Sequence, residues 1–150
     1  MPIDVTVGPD VFQMPLKVRY YETDQQAVVY HGWYLNYFDE AFIEYMDDLS
    51  RGRGTMAATD ADVMLVHTEI DWHSSLRWPG DATIAVSLVG IGNSSVTMDF
   101  VAISDGVPVC SARTVYVVVD NKQFQRIAVP EAMRAALGDP APLRRQRAGR

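Results

Sequence analysis

One carboxylate and one imidazole, Asp24 and His31, stand seven residues apart in the run Tyr20-Tyr21-Glu22-Thr23-Asp24-Gln25-Gln26-Ala27-Val28-Val29-Tyr30-His31-Gly32. An ionised carboxylate can take a proton from water or attack a carbonyl carbon itself. Gly32 opens an apolar helical pattern, and the first N–H groups of a helix have no partner inside it. Such groups can receive the negative charge that grows on a carbonyl oxygen under attack. The stretch therefore holds the parts for hydrolysing an ester-like carbonyl. By spacing alone, Asp24 is equally a loop or N-cap residue that serves backbone N–H groups. His31 is equally a helix-start histidine bonded to a nearby carbonyl.

The elements that must position these residues are visible in the hydrophobic periodicity. Phe12, Met14, Leu16, Val18 and Tyr20 alternate with polar residues, which predicts a half-buried strand over 12–20. Leu35, Phe38, Phe42, Met46 and Leu49 recur every three or four residues, which predicts a helix from Gly32 to Leu49. Trp33, Tyr34, Tyr37, Ala41, Ile43 and Tyr45 widen that stripe, so the helix is expected to be covered on most sides, by a sheet and by a partner chain. Asp47 and Asp48 oppose its dipole, and Arg51 and Arg53 follow as compensation. Beyond a loop the period becomes two. Met64, Val66, Thr68, Ile70 and Trp72 share one face, with His67, Glu69, Asp71 and His73 on the other. Further alternating runs cover 83–88, 96–102 and 107–119, and a short helix covers 130–137. Consecutive hairpin-linked strands make an antiparallel sheet. One long apolar helix is buried by five strands only if the sheet curls around it. The expected fold class is α+β: a hotdog fold, a curled five-stranded antiparallel sheet wrapped around one long central helix. Its open edges call for a side-by-side homodimer. One domain is expected over 1–138, with 139–150 a disordered basic tail.

Composition narrows the partners. The chain has 150 residues and one cysteine, Cys110, so no intrachain disulfide forms and a cytoplasmic setting is the default. No run is long and apolar enough to span a membrane, and no secretory leader is visible. The last seven residues carry four arginines and no acid; the rest holds nine bases against nineteen acids. A body near −10 repels nucleic-acid phosphates, so no nucleic-acid partner is expected.

The run from Arg19 to Ala41 resembles the signature of the hotdog-fold acyl-CoA thioesterases. It is most similar to the 4-hydroxybenzoyl-CoA thioesterase branch, and within it to the short-chain acyl-CoA thioesterases associated with the Tol-Pal system. The shared pattern is an aromatic pair, the Glu22-Thr23-Asp24 core, the Val28-Val29-Tyr30-His31 run and an aromatic helix entry. The Gly80-Asp81 turn, the Gly92-Asn93-Ser94-Ser95 turn and the last valine-rich strand extend the likeness over about 12–137. The resemblance implies that Asp24 is the catalytic carboxylate, as base or as nucleophile. It places the carbonyl oxygen on the backbone N–H of His31, with Gly32 behind it. It sets Asn93, Ser94 and Ser95 near the pantetheine and phosphates of CoA, although by pattern alone they are an ordinary hairpin turn; Tyr30 reads as a pocket wall or as plain core. It implies an acyl-CoA or acyl-carrier-protein substrate, no metal or redox cofactor, and a homodimer or dimer of dimers (a homotetramer). Ala27 stands where the family usually carries glycine, and Gln25 and Gln26 replace small residues. A non-catalytic acyl-CoA binding or sensor protein on the same fold is the other reading. The hydratase branch fits less well, because its Asp and His lie closer together.

Two other candidates carry less. His67, Glu69, Asp71 and His73 share one strand face about 7 Å apart per step, so four cannot converge on one ion. That pattern reads as a solvated face or an edge, and no metal is assigned. Cys110 lies within an alternating strand and reads as a small core residue.

Overall fold

The computed structural model describes residue 5 and residues 7–50 and 60–143. Arg51, Arg53 and the arginine-rich tail lie outside the described residues. The elements in chain order are β1 (Phe12–Lys17), a 3-10 turn (Tyr20–Glu22), α1 (Trp33–Ser50), β2 (Ala61–Trp72), β3 (Asp81–Ile91), β4 (Ser95–Ser104), β5 (Val107–Asp120) and α2 (Glu131–Leu137). The strands form one sheet in the order β1-β3-β4-β5-β2. Every neighbouring pair is antiparallel.

Helix α1 lies on one face of this sheet, held by aromatic pairs. Phe38 stacks on Phe100 of β4 at 5.3 Å, Phe42 on Tyr116 of β5 at 4.3 Å, and Phe12 of β1 meets Tyr45 edge-on at 5.6 Å. The alternate residues Ile84, Val86, Leu88, Met98, Phe100, Ala112 and Val118 complete the core from β3, β4 and β5. Cys110 belongs to it and is fully buried.

Two expectations are corrected in detail, at the end of β1 and within β2, and the cover of α1 is defined. The first strand stops at Lys17. The chain there curls into the 3-10 turn, where Glu22 N–H donates to Arg19 O and the Glu22 carboxylate accepts from Arg19 N–H at 2.7 Å. The buried side of α1 is Tyr34, Tyr37, Phe38, Ala41, Phe42, Tyr45 and Met46, whereas Leu35 and Ile43 are 40% and 68% exposed. Within a single chain the sheet thus covers one side of the helix. In β2 a bulge between Leu65 and His67 shifts the register against β5. Thr68, Ile70 and Trp72 share a face as expected, but Met64 falls on the opposite one, because an inserted residue reverses the alternation.

The outer face of the sheet has its own small core of Ala85, Val101 and Leu143, with Val5, Val7, Val11 and Ile103 packed against it. The chain past Gly138 returns over this face. Ala141 N–H donates to Leu88 O at 2.8 Å, and the Ser87 hydroxyl donates to Ala141 O. Leu143 N–H donates to Asp99 Oδ2 at 3.0 Å. Asp99 has no exposed surface and receives a two-pronged contact from Arg113, at 2.8 and 2.9 Å. Residues 139–143, on the far side of Gly138, thus pack on the sheet.

Candidate active site

Residues 23–29 form a small hairpin. Thr23 bridges Val29, and Asp24 N–H donates to Val28 O at 2.9 Å. Asp24 sits at its start and closes the turn twice: its Oδ1 accepts Gln26 N–H at 2.8 Å and its carbonyl accepts Ala27 N–H at 3.0 Å. The hairpin is tied to the β2–β3 connection. Val29 N–H donates to Leu76 O, Trp78 N–H donates to Ala27 O, and Val28 bridges Arg77. Asp24 is exposed, with its second carboxylate oxygen left for other chemistry.

Ala27 has φ of +57°, in the left-handed region. The glycine usual in the resembling family would adopt it without strain. For alanine the conformation costs about 1–2 kcal/mol, while glycine loses about 0.5–1 kcal/mol more backbone entropy on folding. The strain wins by a small margin. Ala27→Gly should therefore raise Tm by about 2–4 °C in a thermal melt. An unchanged or lower Tm would show that the turn absorbs the alanine without strain.

The segment 30–32 leads into α1. Tyr30 N–H donates to Glu22 O at 2.9 Å, and Tyr30 O accepts Trp33 N–H at 3.0 Å. The N–H groups of His31 and Gly32, between these bonds, reach no acceptor among the described residues. They stand at the positive end of an 18-residue helix, where an anionic oxygen is favoured. The Tyr30 ring covers Gly32: a Cβ there would lie 2.8 Å from Tyr30 Cε1. Glycine lets that ring fold back over the helix start.

His31 makes no hydrogen bond or ion pair with Asp24. Its ring packs between Tyr30, at 4.2 Å, and Trp72 of β2, edge-on at 6.2 Å. Tyr30, His31 and Gly32 thus follow directly on the Asp24 hairpin, and the His31 ring reaches the exposed Trp72. Sequence reasoning did not connect Trp72 to this site, since a contact between a helix start and a distant strand leaves no local pattern.

Asn93, Ser94 and Ser95 lie elsewhere. They form the β3–β4 turn, at the other end of β3 from the β2–β3 connection. Eleven residues of strand separate the two ends, roughly 35 Å. Asn93 O accepts Val129 N–H and Ser94 O accepts Val118 N–H, both at 2.8 Å, and Arg134 holds Gly92 O. Lys122 and Arg126 follow β5 at this same end, Arg126 in a bridge to Val119. Within one chain the structure does not bring this turn to Asp24.

Behind the site, Glu22 is 2% exposed. Burial, then the nearby charge of Glu22, pushes the Tyr37 hydroxyl far above its ordinary pKa. That hydroxyl is buried and lies outside hydrogen-bond geometry with any described partner. Tyr34 is pushed up to about 12, mainly by burial. Farther along α1, burial raises Asp39, and a long contact from the Tyr116 hydroxyl at 3.5 Å partly offsets it.

Comparison with known proteins gives a consistent grouping. The thioesterase-like superfamily matches residues 18–137. The acyl-CoA thioesterase YbgC of Haemophilus influenzae is 23% identical over 126 residues, covering 83% of this chain and 93% of that protein. Among solved structures, a thioesterase superfamily protein from Jannaschia sp. superposes with a TM-score of 0.82 at 19% identity, covering 95% of this chain and 98% of that one. Slr0204, a 1,4-dihydroxy-2-naphthoyl-CoA thioesterase from Synechocystis, superposes with a TM-score of 0.73 at 17% identity, covering 85% and 95%.

Proposed function

We propose that this chain, which belongs to the thioesterase-like superfamily, hydrolyses acyl-CoA thioesters to a free acid and CoA. What supports the reading is an exposed Asp24 carboxylate followed, seven residues on, by two unengaged N–H groups at the start of α1. The carbonyl oxygen of the thioester accepts from His31 N–H, with Gly32 N–H adjacent. As charge builds on that oxygen the helix end stabilises it, and no reorganisation is needed. Asp24 then takes a proton from the attacking water, or attacks the carbonyl and forms an anhydride that water opens. In both routes the C–S bond breaks and the CoA thiolate leaves, taking up a proton. Tyr30 walls the site. The aromatic and acid-Thr-Asp motif favours the Tol-Pal-associated, short-chain branch of the family.

A homodimer through the β2 edge would complete the site. β2 is twelve residues long, lies at the sheet edge and exposes Met64, Leu65, Val66 and Trp72. An open apolar edge of this length invites a second copy. Antiparallel pairing of β2 with its twin sets the Trp72 end of one protomer beside the Ala61 end of the other. The partner's β3–β4 turn, with Lys122 and Arg126, would then come within about three strand spacings, roughly 15 Å, of His31. That separation suits a pantetheine arm running from the thioester to CoA phosphates. Asn93, Ser94 and Ser95 would serve the partner's site rather than their own chain's.

Incubation with short, long and aromatic acyl-CoAs, with free thiol followed by a thiol reagent, tests the function. Thiol release well above the uncatalysed rate for at least one substrate is expected. Binding without thiol release across the panel would replace hydrolysis with a sensor role.

A further inference from the structure

The buried carboxylate of Glu22 lies next to the proposed site and has no part in the chemistry described above. Its Oε1 accepts Arg19 N–H and closes the 3-10 turn that ends β1. Its backbone carbonyl accepts Tyr30 N–H and so holds the segment carrying the His31 and Gly32 N–H groups. Two residues further on, Asp24 N–H engages Val28 O. The hairpin bearing the carboxylate and the segment bearing the oxyanion donors therefore share one hinge point, and it is Glu22. Glu22 itself is 2% exposed.

We propose that Glu22 is a positioning residue: its side chain, reaching Arg19 N–H from a buried seat, sets the distance between Asp24 and the N–H groups of His31 and Gly32. The inference deepens the thioesterase reading and rests on it. What matters is reach, since the contact is one hydrogen bond to a fixed backbone donor. An error of about 1 Å between attacking group and oxyanion donors costs on the order of 100-fold in rate. Such an error falls on the chemical step rather than on substrate capture.

Two substitutions separate reach from charge. Glu22→Gln keeps the length and an acceptor oxygen and loses the charge. Glu22→Asp keeps the charge and shortens the reach by about 1.5 Å. Both are read by kcat and KM on the best substrate of the panel, and by amide hydrogen exchange at Tyr30 and Asp24. Glu22→Gln is expected within about fivefold of wild type in kcat. Glu22→Asp is expected to lower kcat at least about 20-fold, with KM within about threefold. Exchange at the Tyr30 amide should quicken at least about tenfold in Glu22→Asp, while the amide of Ile84 in the core keeps its protection. A general loss of stability would speed both amides alike and overturn the proposal. So would Glu22→Asp with wild-type kcat, or Glu22→Gln as impaired as Glu22→Asp. If wild type releases no thiol from any acyl-CoA, the function reading falls, and the exchange at Tyr30 alone then decides the role of Glu22.

Discussion

Asp24→Asn should lower acyl-CoA hydrolysis by at least about 100-fold, with Tm within about 1 °C of wild type. The contrast between those two readouts comes from the turn. The Oδ1 that accepts Gln26 N–H is preserved in asparagine, so the hairpin keeps its closure. What is lost is the charge and the basicity of the second oxygen. Asp24→Ala would confuse the two, because it also removes a turn bond. Turnover near wild type in the asparagine variant would strip Asp24 of its assigned role. A single turnover in oxygen-18 water then tests for the anhydride: label entering the Asp24 carboxylate marks Asp24 as the nucleophile.

The second large effect is on stability. Arg113→Met takes the guanidinium from Asp99, a carboxylate with no exposed surface, and replaces two charge-assisted hydrogen bonds with a thioether. Breaking a buried pair from one side costs about 3–5 kcal/mol, since the remaining charge stays desolvated. Tm should fall by more than about 6 °C. Adding Asp99→Asn to Arg113→Met should recover at least half of that loss, because the amide carries no charge and still offers Leu143 N–H an acceptor. Equal melting of Arg113→Met and wild type would mean that the pair adds nothing to the fold.

The strands and the long helix were legible because period-two and period-3.6 patterns are local. Ile84, Val86 and Leu88, or Phe38, Phe42 and Met46, bury as their spacing predicts. What the patterns lack is the environment on the far side of each element. Leu35 and Ile43 read as core and stand exposed, because periodicity reports that a residue is apolar and not what meets it. The bulge at 65–67 was hidden for the same reason: an extra residue in one strand is defined only by its partner in β5. At the site, the Asp24–His31 segment was legible as a contiguous motif. That Asn93–Ser95 sits at the opposite end of β3 was not, since strand direction belongs to topology. Glu22 reads as part of the shared Glu22-Thr23-Asp24 run, with nothing in its local pattern to mark it as buried. Its burial depends on the tertiary fold around it, which a local pattern does not carry. Asp99 reads likewise as a solvent-side residue of an alternating strand; the segment that covers it returns from forty-four residues later.

That returning segment bears on how the chain can be trimmed or grafted. The region held in common with the superfamily ends at residue 137, yet the last anchoring bond described is made by Leu143. A recombinant form cut at the shared boundary would keep every residue of the proposed site. It would also uncover Ala85 and Val101 and take a backbone donor from Asp99, on the face of the sheet farthest from the chemistry. The six residues after Leu137 thus act as this protein's own clasp, and boundaries drawn from shared sequence would sever it.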